Sequence, residues 1–342
     1  MPMQLWALSA EKMEFRAYEV EDPGEGQVQV KSEYAAAKHG TEMSAVKGYG
    51  NHRGPRDREL RVFMGAEKTD SPQPIRVGNM FVGTVTALGN GVSEFSEGDR
   101  VLGYGPFREV HTVDASRCWK MPEGLLWQSA VCLDPADFAM CAVRDGHVRI
   151  GDAVAVFGMG AIGLMAVQFA KLSGAEPVIA VDPLANRREA ATVSGADLVL
   201  DPTACDAGVE IKMATEKRGA DVAIDYSGSV HALQAALRGV AFGGIVVAGA
   251  YPGPYGPGLD LGAEAHMNRP VLIFSRAASD PNREHPRWDE KRIYATAWRL
   301  IVEGKLSGDH IVSPVVDFEA LVQAYPKIAK DPGSNIKLGA TF

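Results

Sequence analysis

The chain has no run of about 18 apolar residues of the kind that a bilayer-spanning helix requires, so no membrane role is expected. It also has no basic surplus. Its 43 acidic residues against 35 Lys and Arg leave a formal charge of −8, the wrong sign for a general nucleic-acid binder. The four cysteines, Cys118, Cys132, Cys141 and Cys205, show no Cys-x-x-Cys spacing. That removes a disulfide framework and a zinc knuckle, and leaves reduced thiols serving as small buried hydrophobes. The opening Met1-Pro-Met-Gln-Leu-Trp-Ala has no basic segment leading into an apolar one, so no secretory signal is read and a cytoplasmic protein is expected. Internal repeats, low-complexity tracts and a flexible interdomain linker are absent too. What is present is 342 residues, 46% hydrophobic and 23% charged, enough for a soluble globular protein of roughly two domains.

The two halves carry different periodicities. Gln27-Val-Gln-Val-Lys alternates at period two, and Gly83-Thr-Val-Thr-Ala-Leu-Gly89 is a β-branched run closed by glycine, so the first part reads as β-rich. From Asp152 strands alternate with helical segments: strands at 153–157, 178–181, 198–201, 222–225 and 244–249, and helices at 163–173, 187–194 and 231–238. That alternation predicts a doubly wound parallel sheet, a Rossmann domain over 126–285. Beyond residue 285, Ile293, Ala297, Leu300 and Ile301 recur at helical spacing, and Ile336-Lys-Leu-Gly-Ala reads as a short strand. Residues 286–342 are therefore expected to rejoin the β-rich domain of residues 1–125.

The most specific motif is Asp152-Ala-Val-Ala-Val-Phe-Gly158-Met-Gly160-Ala161-Ile162-Gly163, followed by Val178-Ile-Ala-Val-Asp182. Strand, glycine turn, helix and second strand together read as a dinucleotide site. Gly158 allows a tight exit from the strand, Gly160 lets backbone approach a pyrophosphate, and Gly163 lets the helix pack on the sheet. The helix N-terminus, with Ala161 and Ile162 as its first residues, then faces the phosphate charge. Asp182 stands about 20 residues beyond, where a carboxylate accepts both ribose hydroxyls of NAD and repels the extra phosphate of NADP. NAD is the expected cofactor. Arg187 and Arg188 keep the other choice open, since either could neutralise a 2′-phosphate by turning toward the ribose.

Four segments together carry a family resemblance: residues 83–101 (Gly-Thr-Val-Thr-Ala-Leu-Gly-Asn-Gly-Val-Ser-Glu-Phe-Ser-Glu-Gly-Asp-Arg-Val), the glycine turn, Asp225-Tyr-Ser227-Gly228, and Gly243-Gly-Ile-Val-Val-Ala-Gly249. The chain resembles the medium-chain dehydrogenase/reductase superfamily over nearly its whole length. The resemblance implies an α/β fold in which a GroES-like β-rich catalytic domain is joined to a Rossmann domain that holds the nicotinamide across a cleft. It implies Ser227 and Gly228 beside the cofactor, where Gly249 and Arg187 are expected too, and a homodimer or homotetramer joined through an exposed sheet edge. A Gly-Thr-Glu turn at residues 40–42 further resembles bacteriochlorophyllide dehydrogenase-like members.

The departures from the family are chemical. Zinc-bearing members place a cysteine before the Gly-Thr-Asp type turn and a Gly-His-Glu segment later. This chain has His39 at the first place and Gly78-Asn79-Met80 at the second. Asp134 occupies the approximate place of a third ligand, which leaves His39 and Asp134 as donors where catalytic zinc takes three protein ligands. No metal is expected. Thr41 matches the hydroxyl that relays the proton in the zinc enzymes. Lys38 and His39 flank it and either can serve as general acid/base, while His39 can equally hydrogen-bond Asp134 as a polar core residue and Lys38 can be a solvated cation. Glu42 could orient one of them, or pair with an arginine and hold the loop.

Asp137 falls on the face of Asp134 if the stretch is helical, which would bring two carboxylates toward the substrate, or both could cap that helix. Asn79, a poor zinc ligand, remains a substrate contact. The Gly/Pro-punctuated segment 48–61 reads as a long loop whose Tyr49, His52 and Arg53 could contact substrate; most of its arginines could instead be solvated charges paired with Asp57 and Glu59. Tyr251 and Tyr255 could wall a pocket or simply pack.

These readings converge on a zinc-independent, NAD-dependent oxidoreductase that interconverts a polar secondary alcohol, such as a sugar or cyclitol, and its ketone. Two alternatives stay open. One is NAD(P)H-dependent reduction of an activated C=C bond, and the other a nucleotide-binding module without catalysis.

Overall fold

The alternation at residues 27–31 is one edge of a long strand in the computed structural model, which describes residues 1–47, 53–65, 74–277 and 283–342, without the side chains of His39, Ala329 and Pro332. The N-terminal part runs β1 (Met3–Ala7), β2 (Met13–Ala17), β3 (Gln27–Ala36), α1 (His39–Val46), β4 (Ile75–Arg76), β5 (Met80–Leu88), β6 (Arg100–Tyr104), β7 (Val110–Asp114), β8 (Cys118–Lys120) and α2 (Trp127–Ala130). The middle follows as α3 (Leu133–Asp145), β9 (Val154–Phe157), α4 (Ala161–Leu172), β10 (Val178–Val181), α5 (Ala185–Val193), β11 (Leu198–Leu200), α6 (Ala207–Ala214), β12 (Ala220–Asp225), α7 (Val230–Gly239), β13 (Val240–Ala248), α8 (His266–Asn268), β14 (Val271–Phe274) and α9 (Glu290–Val302). The tail is β15 (Val312–Asp317), α10 (Leu321–Lys330) and β16 (Lys337–Thr341). Two compact units result, Met1–Val131 with Val312–Phe342, and Cys132–Ile311.

The first unit is built on a sheet in the order β15-β16-β3-β5-β6-β8, with β7 pairing β3 and a smaller β2-β1-β4 sheet beside it. Val28 and Val30 of β3 face the core while Gln27 and Gln29 are half-exposed, as period two dictates. Leu5, Val30, Phe81, Phe107, Leu321, Tyr325 and Leu338 are buried together, so the C-terminal tail completes this core. β16 pairs antiparallel with β3, placing Ala340 opposite Ala35.

The second unit has six parallel strands in the order β11-β10-β9-β12-β13-β14, the doubly wound arrangement. β9 and β10 are buried on both faces, which is why they read as unbroken apolar runs. Residues 286–311, expected with the catalytic domain, belong here instead. Ile293, Ala297 and Ile301 of α9 form a buried stripe, and α9 packs on α3. Among the described residues no helix is long and apolar enough to cross a membrane. Of the cysteines expected to be buried, Cys132 and Cys141 are, whereas Cys118 and Cys205 are only half-buried.

Candidate active site and nucleotide site

In the second unit each glycine of the turn has a distinct reason to be glycine. Gly158 has φ +87°, and a Cβ there would lie 2.7 Å from Ser227 N, so the ends of β9 and β12 approach through it. A Cβ on Gly163 would lie 1.9 Å from Gly158 O, so the helix could not start so close to the turn with any side chain. At Gly160 a Cβ would meet nothing within 4 Å. That glycine is not demanded by the protein's own packing, and the space it leaves is what a phosphate group needs. Gly160 is the N-cap of α4 and supplies no side-chain cap, so Ala161 and Ile162, both half-buried, begin the helix with their N–H groups turned outward.

Asp182 ends β10 and is 3% exposed. One carboxylate oxygen accepts the N–H of Met159 at 2.7 Å and the other the N–H of Leu184 at 2.9 Å. Each oxygen keeps a second lone pair for a ligand hydroxyl. Arg187 Nη1 stands 4.0 Å from it, and burial, against the pull of Asp182, lowers the pKa of Arg187. Arg188 is committed elsewhere, donating to the Asp182 carbonyl at 2.8 Å and pairing with Asp201 at 3.0 Å. Asp225 closes β12; it accepts the N–H and hydroxyl of Ser227 at 2.8 and 2.6 Å, and burial raises its pKa.

Gly249 has a packing explanation: a Cβ would fall 2.4 Å from the Tyr226 ring, whose hydroxyl donates to Phe138 O at 2.8 Å. The loop after β13 comes near the end of β12, since a Cβ on Gly228 would lie 3.8 Å from the Cβ atoms of Ala250 and Pro252; burial first, then Asp225, raises the pKa of Tyr255 in this loop. Asp134 and Asp137 are both buried on α3, a turn apart as a helix requires. They do not cap it, since the N-cap is Cys132, without a side-chain bond.

In the first unit the Gly40-Thr-Glu turn is the opening of α1. Lys38 is its N-cap, where a Ser or Asp would be stabilising and a cation opposes the helix dipole. A residue that local stability disfavours at such a point is a candidate for function. Lys38 is half-buried and Thr41 exposed. Glu42 accepts a backbone hydrogen bond from Lys38, and among the described residues it has no ion pair with an arginine: one oxygen accepts Gly78 N–H at 2.8 Å and the other the Tyr325 hydroxyl. Burial raises its pKa against those three bonds and the attraction of Lys337.

Asn79 is half-buried; its N–H donates to Ala36 O at 2.9 Å, and its Nδ2 is buried without a hydrogen-bond partner among the described residues. Among those residues no group of three His, Cys, Asp or Glu is gathered for a metal. Tyr49 and His52 lie outside the described residues, as does the side chain of His39. Arg53 is half-buried and its carbonyl accepts Gly65 N–H at 2.9 Å. Asp57 serves the backbone rather than an arginine, accepting the N–H groups of Glu59 and Leu60. Tyr325 and Lys337 were not anticipated. The one signal for Lys337 was a cation inside an apolar strand.

A β-rich unit joined to a dinucleotide-binding unit with this glycine turn defines a two-domain dehydrogenase. Two family models match, an alcohol dehydrogenase GroES-like domain at residues 24–123 and a zinc-binding dehydrogenase at 161–279. The chain is 42% identical over 330 residues to D-guloside 3-dehydrogenase of Escherichia coli strain K12, covering 92% of this chain and 93% of that one. Its fold is similar to crystal structures of 2R,3R-butanediol dehydrogenase from Bacillus subtilis (TM-score 0.76, 21% identity, all of both chains) and galactitol-1-phosphate dehydrogenase from Escherichia coli (TM-score 0.78, 19% identity, 99% of this chain and all of that one). The chain belongs to the medium-chain dehydrogenase/reductase superfamily, in its zinc-type alcohol dehydrogenase-like branch, and is an oxidoreductase of the alcohol dehydrogenase type.

Proposed function

We propose that this enzyme oxidises a secondary hydroxyl of a sugar or sugar glycoside to the ketone, reversibly, with NAD and without zinc. The observation that carries the proposal is the near full-length likeness to a D-guloside 3-dehydrogenase. A relative at that identity supports a shared class of substrate, a ring hydroxyl among other hydroxyls, without fixing which sugar. Asp182 supports NAD over NADP, because a buried carboxylate at the ribose edge favours two hydroxyls and repels a phosphate. The open space at Gly160 fits a pyrophosphate, with Ala161, Ile162 and Gly163 offering N–H groups, and Arg187 beside the ribose. When bound, NAD supplies the hydride acceptor.

The donor set does not fit zinc. Asn79 and Met80 stand where a ligand would be needed, and the buried Asn79 Nδ2 is a donor, which has no lone pair to offer a cation. The proton chemistry therefore falls to side chains of the first unit. Thr41 takes the alcohol proton and passes it on, Lys38 or His39 is the base behind it, and the Asn79 amide and Lys38 stabilise the oxygen that gains charge. Arg53, Tyr49, His52, Asp134 and Asp137 are proposed to meet the remaining hydroxyls of the substrate. C=C reduction is the weaker proposal, since Asp182 disfavours the NADPH such enzymes use.

NADH fluorescence during incubation with methyl glycosides, cyclitols and enones tests this. Turnover of glycosides with NAD, indifferent to chelators and lost in Lys38→Ala or His39→Ala while NADH still binds, is the expected result. Enone reduction with NADPH, or activity that appears only with added Zn²⁺, would refute it.

A further inference from the structure

Among the described residues of the first unit, Glu42 and Lys337 are the two buried members of the Asp, Glu, Lys and Arg set, at 8% and 3% exposure. Burying opposite charges is expensive, and replacing such a pair with apolar groups of similar size is often neutral or stabilising. Their retention calls for a reason other than stability. Both fasten the same short segment. Lys337 Nζ donates to Ala37 O at 2.7 Å, and Ala37 N–H donates to Leu338 O at 2.9 Å, so the chain is tied to β16 just before Lys38. Just after Thr41, the Glu42 carboxylate is held by the Tyr325 hydroxyl of α10 and by Gly78 N–H, and it also takes a backbone hydrogen bond from Lys38.

The far side of that bond is equally constrained. Gly78 has φ +110°, and a Cβ there would lie 2.2 Å from Phe107 N, so the backbone cannot relax around a side chain. Asn79 follows, with its N–H on Ala36 O and its carbonyl accepting Gly105 N–H at 3.0 Å. Two segments with candidate chemistry, 38–41 and 79, are thus referred to each other through one carboxylate.

We propose that Glu42, Tyr325 and Lys337 are positioning residues, which hold residues 38–41 and Asn79 in the mutual register that the reaction needs. The proposal rests on the assignment of proton handling to residues 38–41 made above. None of the three touches substrate; each acts through the backbone it fastens. The C-terminal tail is consequently part of the reaction machinery as well as of the core.

Tyr325→Phe, Lys337→Met, Glu42→Gln and Glu42→Ala in the full-length protein test it by two routes. Amide hydrogen exchange needs no substrate. In Tyr325→Phe it should quicken about tenfold or more at residues 38–42 and at Gly78, the size of one lost bond to a charged group, and stay unchanged in β6. With NAD and methyl α-D-glucopyranoside as the probe, kcat should fall by a similar factor while KM for NAD holds, and the isotope effect on the transferred hydrogen should rise. Glu42→Gln, which still accepts from Gly78 N–H, should recover most of what Glu42→Ala loses. Unchanged exchange at those amides overturns the proposal, and so does altered exchange with kcat and isotope effect intact, which would mark a structural tie only. Should the unmodified enzyme ignore the glycoside, the substrate assignment fails; the kinetic arm is then run on the cyclitol or enone that it does turn over, and the same two outcomes decide this proposal.

Discussion

Gly160→Ala separates the glycine that the fold needs from the glycine that the ligand needs. Gly160 has φ −76° and ψ −175°, ordinary extended backbone for alanine, and the added methyl would meet no protein atom within 4 Å. Two effects on folding oppose each other. Removing glycine from the unfolded chain stabilises by about 0.4–1 kcal/mol, and alanine is a poorer N-cap than glycine by up to about 1 kcal/mol. They nearly cancel, so the melting temperature without cofactor should move by no more than about 2 °C.

Cofactor binding has no such compensation. The methyl would stand where the pyrophosphate approaches α4, and losing even one bond to a charged group, about 1.5–3 kcal/mol, weakens binding by about ten- to a hundredfold. Gly163→Ala is the control of opposite sense. Its Cβ would sit 1.9 Å from Gly158 O, so the unliganded protein itself should lose stability by about 1–3 kcal/mol. Scanning fluorimetry of the unliganded variants and NADH fluorescence titration read the two quantities separately. If Gly160→Ala binds NADH as tightly as the parent, the pyrophosphate does not approach this backbone, and the argument from the glycine turn collapses.

Two further expectations follow from buried groups. Asp182→Ser removes the acceptor that Met159 N–H and Leu184 N–H share at 2.7 and 2.9 Å, so steady-state kinetics should show KM for NAD rising and KM for NADP falling, with some loss of melting temperature; an intact preference for NAD would contradict the role given to Asp182. His111 is stacked on Phe81 at 3.7 Å, and burial first, then Arg108, holds its imidazole well below the usual histidine range. The unfolded chain takes up that proton as pH drops through about 6.5 and the folded chain does not, so stability is full above that pH and is lost below it, by up to about 1.4 kcal/mol per pH unit. Melting curves from pH 7 to 5 should be less steep in pH for His111→Gln, and identical slopes would discard His111 as the cause.

The second unit was legible because its determinants are local. An apolar run, a glycine turn and an amphipathic helix each depend on neighbours a few residues away, and β9 through β13 appear where residues 153–249 place them. α1 was not legible. Lys38-His-Gly-Thr offers no cap and a glycine in the first turn, and Glu42, near the start of this helix, is held by Tyr325, 283 residues along the chain. α10 was hidden by Pro326, which reads as a breaker yet sits within the helix. For residues 286–311 the spacing of Ile293, Ala297 and Ile301 revealed a helix, but a stripe does not say what it packs against, and here it is α3.

Three turns that carry candidate site residues share one construction. Each has a positive-φ glycine, at 78, 158 or 228, and a buried carboxylate fastens the adjoining backbone through an N–H: Glu42 on Gly78, Asp182 on Met159, Asp225 on Ser227. A glycine turn lets the chain take a left-handed conformation but forfeits the side-chain packing that would keep it still. A carboxylate that takes the N–H restores rigidity without a side chain on the turn itself, which is what a site must have to be organised before its ligand arrives. Burial raises the pKa of Glu42 and Asp225, because keeping a carboxylate charged away from water is unfavourable. An apolar contact could stabilise the fold more cheaply. It could not hold a bare backbone turn in one direction, because only a hydrogen bond is directional enough to do so.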